Sequence, residues 1–135
     1  MILDLVVPVW HESDFGINLN GRRYTHLVWA DNIWLLSTEP DELQKMVKSM
    51  TAVLNANGSE WKCDSLMFMD TAVRQESEEG ATLSTMASGL LKNIPRVDGM
   101  VVLGAWMDPQ GSTASAVGCR LRRASAAFWS QSKSL

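Results

Sequence analysis

The stretch of residues 27–36, Leu-Val-Trp-Ala-Asp-Asn-Ile-Trp-Leu-Leu, constrains the fold more than any other part of this chain. Two apolar runs rich in β-forming residues flank the polar pair Asp31-Asn32. A polar pair between two such runs is typical of a tight turn, so the pattern predicts a β-hairpin with the carboxylate of Asp31 at its tip. The apolar faces of the two strands would then need covering on their core side.

The segment from Pro40 to Asn57 predicts the helix that covers this hairpin. Its apolar residues fall on one helical face, namely Leu43, Met46, Val47, Met50, Val53 and Leu54. We expect Thr38 and Asp41 to cap the start of the helix and Gly58 to end it at the position where glycine is favoured. An antiparallel sheet covered by a helix belongs to the α+β class.

Other elements follow from turn dipeptides and apolar spacing. The first half of the chain predicts a short helix before Gly16 with Leu3, Val6, Val7 and Trp10 at helical spacing, and strands Phe15–Leu19 and Arg22–Tyr24 around Asn20-Gly21. The second half predicts a strand Trp61–Met69, a solvated loop Asp70–Gly80, and a hairpin of Ile94–Val97 and Met100–Met107 around Asp98-Gly99. A long helix is expected from Ser112 onward, with Val117, Leu121, Ala124 and Phe128 on one face. Residues 81–91 stay open between a short helix and a strand. No linker or repeat divides the chain, so we expect a single domain over residues 1–135.

Charge and cysteine content limit the functions that the chain can have. The net charge of −3 argues against a surface that is basic overall and binds nucleic acid. The segment from residue 109 to the end, however, holds four basic residues and no acidic one. Cys63 and Cys119 lack metal-ligand or redox spacing, which predicts reduced thiols in an intracellular protein. The apolar start, residues 1–10, has no basic flank and is too short to span a bilayer, so we expect neither a targeting signal nor a membrane partner.

The Ala30-Asp31-Asn32 hairpin, which follows an aromatic residue, resembles the catalytic hairpin of reverse transcriptases, where the pattern is aromatic-Ala-Asp-Asp. Non-LTR retrotransposon polymerases are the most similar in style. Downstream segments agree in order: Ser37 to Asn57 resembles the palm helix of that family, residues 58–62 the start of the strand after it, and Val101-Val102-Leu103-Gly104 the primer-grip hairpin. The resemblance implies an antiparallel palm-like sheet over residues 1–108 and a thumb-like helix over residues 109–135.

This resemblance also implies a site. Asp31 and Asn32 would be the catalytic pair, Asp31 would bind Mg²⁺, and Arg120, Arg122 and Arg123 would contact nucleic acid. The parent enzyme would copy an RNA template from a DNA primer and would need fingers and an N-terminal palm that are not seen here. Since one of three expected carboxylates is visible, we expect this chain alone to be inactive.

Two alternatives remain open from the sequence. In the first, Asp31-Asn32 is a structural turn without a catalytic role. The chain can also be a non-enzymatic module that binds nucleic acid or protein on a palm-like scaffold, through its basic C-terminal helix or an exposed apolar face.

Overall fold

The computed structural model describes residues 2–70, 82–111, 117, 118 and 120–126. They form the helices α1 (Leu3–Glu12) and α2 (Pro40–Ala56), a 3₁₀ helix (Cys63–Ser65), and the strands β1 (Ile17–Leu19), β2 (Arg22–Tyr24), β3 (His26–Trp29), β4 (Asn32–Leu35), β5 (Leu83–Ala87), β6 (Leu90–Ile94), β7 (Met100–Val102) and β8 (Ala105–Met107). The predicted α+β class with antiparallel strands is confirmed. The chain divides into two compact units, Met1–Phe68 with Glu79–Pro95, and Met69–Glu78 with Arg96–Leu135.

The core of the first unit lies on two sides of α2. On one side Met46 and Met50 pack against α1, whose Trp10 is completely buried. On the other side Val47 packs against Leu83 of β5, and that cluster also holds Phe68 and Ile94. Burying one such side chain contributes about 1.5–3 kcal/mol, so the apolar stripe predicted for this helix stabilises the unit from both sides.

The two ends of α2 differ in their capping. Gly58 has φ +70°, its N–H donates to Asn55 O at 3.1 Å, and the N–H of Ser59 donates to Leu54 O at 2.9 Å. These two bonds make a Schellman motif, so the predicted glycine end is confirmed. The predicted Thr38–Asp41 cap is wrong, because the N-cap residue is Glu39 and it makes no side-chain cap bond.

Hydrogen bonds of polar side chains connect β5, and the segment after α2, to that helix. Thr51 Oγ1 lies 2.7 Å from Val47 O, 2.7 Å from Trp61 Nε1 and 2.9 Å from Thr85 Oγ1. The amide group of Gln44 donates to Ser84 O and accepts from Ser84 N–H, both at 2.8 Å. Gln44 therefore pairs with one residue of the outer edge of β5 as a neighbouring strand would.

The strands of the described residues pair two by two in four antiparallel hairpins, β1–β2, β3–β4, β5–β6 and β7–β8. The ladders show that each hairpin has a two-residue turn, at Asn20-Gly21, Ala30-Asp31, Ser88-Gly89 and Leu103-Gly104. In the three hairpins whose second turn residue is glycine, both turn residues have positive φ, and this conformation matches the twist of the strands. The predicted hairpins at Asn20-Gly21 and around Asp31 are confirmed, but they are separate ribbons here rather than parts of one sheet.

Two predicted elements are wrong. Asp98-Gly99 does not connect a hairpin, because Leu103-Gly104 connects β7 to β8, and Ile94 is the last residue of β6. The predicted strand Trp61–Met69 holds the 3₁₀ helix and a single bridge at Phe68, whose N–H donates to Pro95 O at 3.0 Å. Residues 81–91, left open by the sequence, contain β5 and the start of β6.

The described part of the second unit contains β7, β8 and a helical segment. Residues 117, 118 and 120–126 are helical, which agrees with the predicted C-terminal helix. Phe128, and residues 71–80 of the predicted loop, lie outside the described residues. Within the described ranges, no helix combines the length and the apolar character that crossing a membrane requires.

The β3–β4 tip as a candidate metal and nucleic-acid site

Asp31 lies at the end of the β3–β4 hairpin. Trp29 pairs with Asn32, so the turn residues are Ala30 and Asp31, and Asn32 is the first residue of β4. Ala30 has φ +51°, a left-handed conformation that a non-glycine residue adopts at some cost. The predicted position of Asp31 at a turn is confirmed, whereas Asn32 belongs to the strand.

The tip of this hairpin is open to solvent. Trp29 is 67% exposed, and Val28 and Ile33 are 42% and 37% exposed. Asp31 and Asn32 are exposed as well. A ligand can therefore reach the carboxylate of Asp31 and the indole ring of Trp29.

The base of the hairpin, in contrast, is fixed to the core. Leu35 of β4 packs against both core clusters, so the helix α2 covers the hairpin at its base. The N–H of Leu36 donates to the carbonyl oxygen of Thr25 at 2.8 Å, and Thr25 is 2% exposed. These contacts hold the first residues of β3 and the last residues of β4 while the tip extends outward.

His26, which sequence reasoning did not single out, occupies this base. Its Nδ1 lies 2.8 Å from Thr25 Oγ1, and its ring meets Trp10 in a T-shaped contact with 6.2 Å between centroids. Burial lowers the pKa of His26 below its usual value of 6.5, and the nearby charge of His11 lowers it further. The signal in the sequence was the polar pair Thr25-His26 at the start of an apolar strand.

The donor set at the tip is one carboxylate and one amide oxygen. A two-ion centre for phosphoryl transfer needs several carboxylates held on rigid backbone. Among the described residues, no three His, Cys, Asp or Glu side chains come together as a metal-binding group. Asp31 and Asn32 by themselves therefore do not fit a two-ion centre, and further carboxylates would have to come from elsewhere.

The predicted nucleic-acid residues lie in the other unit. Arg120, Arg122 and Arg123 are all exposed on the helical segment 120–126. Three guanidinium groups on one short helical stretch provide positive charge that can contact phosphates. Asp31 and Asn32 belong to the first unit, together with α2.

Comparisons with protein-family models, with curated proteins and with solved structures find no match to this chain.

Proposed function

We propose that the chain is the rear part of the palm and the start of the thumb of a retroelement reverse transcriptase of the non-LTR type. The observation that carries the proposal is the exposed Asp31 at a two-residue hairpin turn, preceded by Trp29-Ala30 and followed by β4 and then by α2. A hairpin whose base is fixed and whose tip is open can present one of the several carboxylates that metal-assisted phosphoryl transfer requires.

The order of the later elements also supports the proposal. The segment Val101-Val102-Leu103-Gly104 runs from β7 into its turn, so the stretch that resembles a primer grip has hairpin geometry. The exposed arginines of segment 120–126 follow it in the chain. RNA template and DNA primer would be the partners, and the missing fingers and N-terminal palm would complete the enzyme.

Within this proposal Asp31 is a ligand for Mg²⁺ that arrives with the substrate phosphates, because Mg²⁺ keeps most of its water and is seldom held by one carboxylate alone. Asn32 offers an amide oxygen without a charge. The chain alone should consequently bind the ion weakly and should not polymerise.

A second candidate function is a non-enzymatic interaction module. Its support is the apolar surface on the hairpins of the first unit, where Leu90 is 65% and Leu91 69% exposed in addition to Trp29. This candidate requires these side chains to form one contiguous patch, because apolar residues that are exposed singly are normal on protein surfaces.

The test of the first candidate follows Mn²⁺ by paramagnetic broadening of backbone amide signals, with a primer-template duplex and a deoxynucleoside triphosphate present. We expect broadening centred on Ala30 and Asp31. Asp31→Ala should remove it, and the matched control Asp64→Ala, at an exposed aspartate of the 3₁₀ helix, should retain it. Equal broadening in the parent and in Asp31→Ala would overturn the metal role of Asp31.

The nucleotide sequence upstream of Met1 separates the two candidates. An open reading frame that encodes fingers and a further catalytic aspartate supports the polymerase. A clean start supports the interaction module.

A further inference from the structure

The β3–β4 hairpin has two faces, and only one of them packs against the buried core. Trp29 pairs with Asn32 next to the turn. The next pair on the same face, two residues further along each strand, is Leu27 with Trp34. We call the face formed by these four side chains the tryptophan face. Among the described residues, the two core clusters and the side chains packed against them include Leu35 but none of these four.

The tryptophan face is accessible, most of all at the tip of the hairpin. Trp29 is 67% exposed and Asn32 is exposed, whereas Leu27 and Trp34 are half-buried. Asp31, in the turn between the two strands, is exposed as well. The tip therefore offers an indole ring two residues from a carboxylate, and an apolar strip continues from the ring toward the base of the hairpin.

The charge of the surrounding chain is negative. Residues 24–44 contain no lysine or arginine but hold four acidic residues, Asp31, Glu39, Asp41 and Glu42. Over residues 1–68, which include the hairpin and α2, nine acidic side chains stand against five basic ones. In the absence of metal ions, this charge repels a phosphate-rich ligand and attracts a cationic one.

We propose that the tryptophan face binds an extended peptide that carries an arginine, with the guanidinium stacked on Trp29 and paired with Asp31. A guanidinium is planar and forked, so it lies on an indole ring and donates to a carboxylate at the same time. An apolar side chain two residues from this arginine then contacts Leu27 and Trp34. The spacing fits because alternate residues of an extended chain are about 7 Å apart, as they are on β3 itself.

The size of the face favours a short peptide over a second folded copy of the chain. Stable protein interfaces bury about 800 Å² on each partner, whereas one large aromatic side chain buries about 150–250 Å². Two tryptophans, one of them already half-buried, and one leucine therefore fall short of a stable dimer interface. Peptide binding of this kind involves no metal ion or nucleotide, so it is independent of the polymerase proposal and names a partner for the interaction module.

NMR titration of the full chain with two peptides, in a metal-free buffer of low ionic strength, tests the proposal. The probe is acetyl-Ser-Arg-Thr-Leu-Ser-amide, and its control has citrulline, which has a similar shape but no charge, in place of arginine. We expect the arginine peptide to shift the Trp29 indole signal and the Asp31 amide signal. It should bind several-fold more tightly than the control, and added salt should reduce the difference.

Variants of the chain test the two contacts separately. Trp29→Leu and Asp31→Asn should each weaken binding of the arginine peptide several-fold, and the Asp31 change should also remove the preference over citrulline. The matched control Asp64→Asn, at an exposed aspartate of the 3₁₀ helix, should bind like the parent. Equal binding of both peptides by the parent, or unchanged binding by both tip variants, would refute the proposal.

Two further titrations identify another occupant of the face. A deoxythymidine oligonucleotide that shifts the Trp29 signal when the arginine peptide does not would assign the face to nucleic acid. A Trp29 signal that changes when the chain alone is diluted, and that no peptide shifts, would assign it to self-association. Either result overturns the peptide proposal. The Mn²⁺ experiment at Asp31 is a separate measurement, so each proposal can fail without the other.

Discussion

Replacing Thr51 with valine should destabilise the first unit while preserving the shape of the side chain. Thr51 is buried, and its single hydroxyl hydrogen donates to Val47 O. Its two lone pairs accept from Trp61 Nε1 and, by elimination, from the hydroxyl of Thr85. The hydroxyl therefore uses its whole hydrogen-bonding capacity within the protein.

The magnitude follows from the groups that the substitution leaves without a partner. Thr85 is 5% exposed, so its hydroxyl pays a desolvation penalty of about 1–3 kcal/mol, and the half-buried indole of Trp61 pays less because water can reach it. We expect Thr51→Val to lower the free energy of unfolding by about 2–3 kcal/mol. For a small protein this moves the urea midpoint by about 1–2 M.

Urea unfolding followed by circular dichroism measures the change, and Thr51→Ser is the matched control because it keeps the hydroxyl. A cycle with Thr85→Val sharpens the test. The double variant removes the unpaired Thr85 hydroxyl, so its cost should be smaller than the sum of the two single costs. Additive costs, or a midpoint for Thr51→Val that equals that of the parent, would refute this account of the network.

Three further outcomes are expected. Gly16→Ala should cost more stability than Gly21→Ala in the same urea assay, because both glycines have positive φ but only at position 16 would a Cβ collide with backbone atoms. Gln44→Ala should cost about 1–2 kcal/mol and speed amide exchange at the edge of β5, since a strand residue loses both bonds to the side chain. Asn32→Asp should tighten Mn²⁺ binding in calorimetry while primer extension stays at background, and template-dependent extension by this chain would contradict our reading of the site.

The parts of the fold that sequence predicted are those with a strong local cause. The apolar stripe of α2 and the glycine at its end act within a few turns of one helix, and the structure follows both. Asn20-Gly21 satisfies a turn that needs positive φ at both positions, so its hairpin was also predictable.

The predicted hairpin at Asp98-Gly99 was wrong because of a contact between residues that are not neighbours in the sequence. Asp98-Gly99 is a good turn dipeptide, yet its glycine is needed because the ring of Trp106 lies where a Cβ would stand. The turn forms instead at Leu103-Gly104, where Leu103 adopts φ +49°. This conformation is unfavourable for leucine, so the turn propensity of the residue does not predict it. A close approach between residues seven positions apart is not visible in local composition.

The candidate site was predicted in part for the same reason. Asp31 stands at a turn defined by its neighbours, and sequence placed it there. The surroundings of His26 include Trp10 and His11, which α1 brings from an earlier part of the chain. Neither partner carries a spacing signal that relates it to β3.

In the part of the chain that the structure describes, each strand pairs with its immediate neighbour, and this has a consequence for the order of folding. A two-residue turn closes each ribbon at little entropic cost, and isolated hairpins form within about 1–10 μs. In the first unit, several contacts that span a long stretch of sequence involve α2, such as Trp10 to Ser49 and Gln44 to Ser84. For the first unit we therefore expect the ribbons β3–β4 and β5–β6 to form and dissolve rapidly until they pack against α2, so that this docking is the slow step.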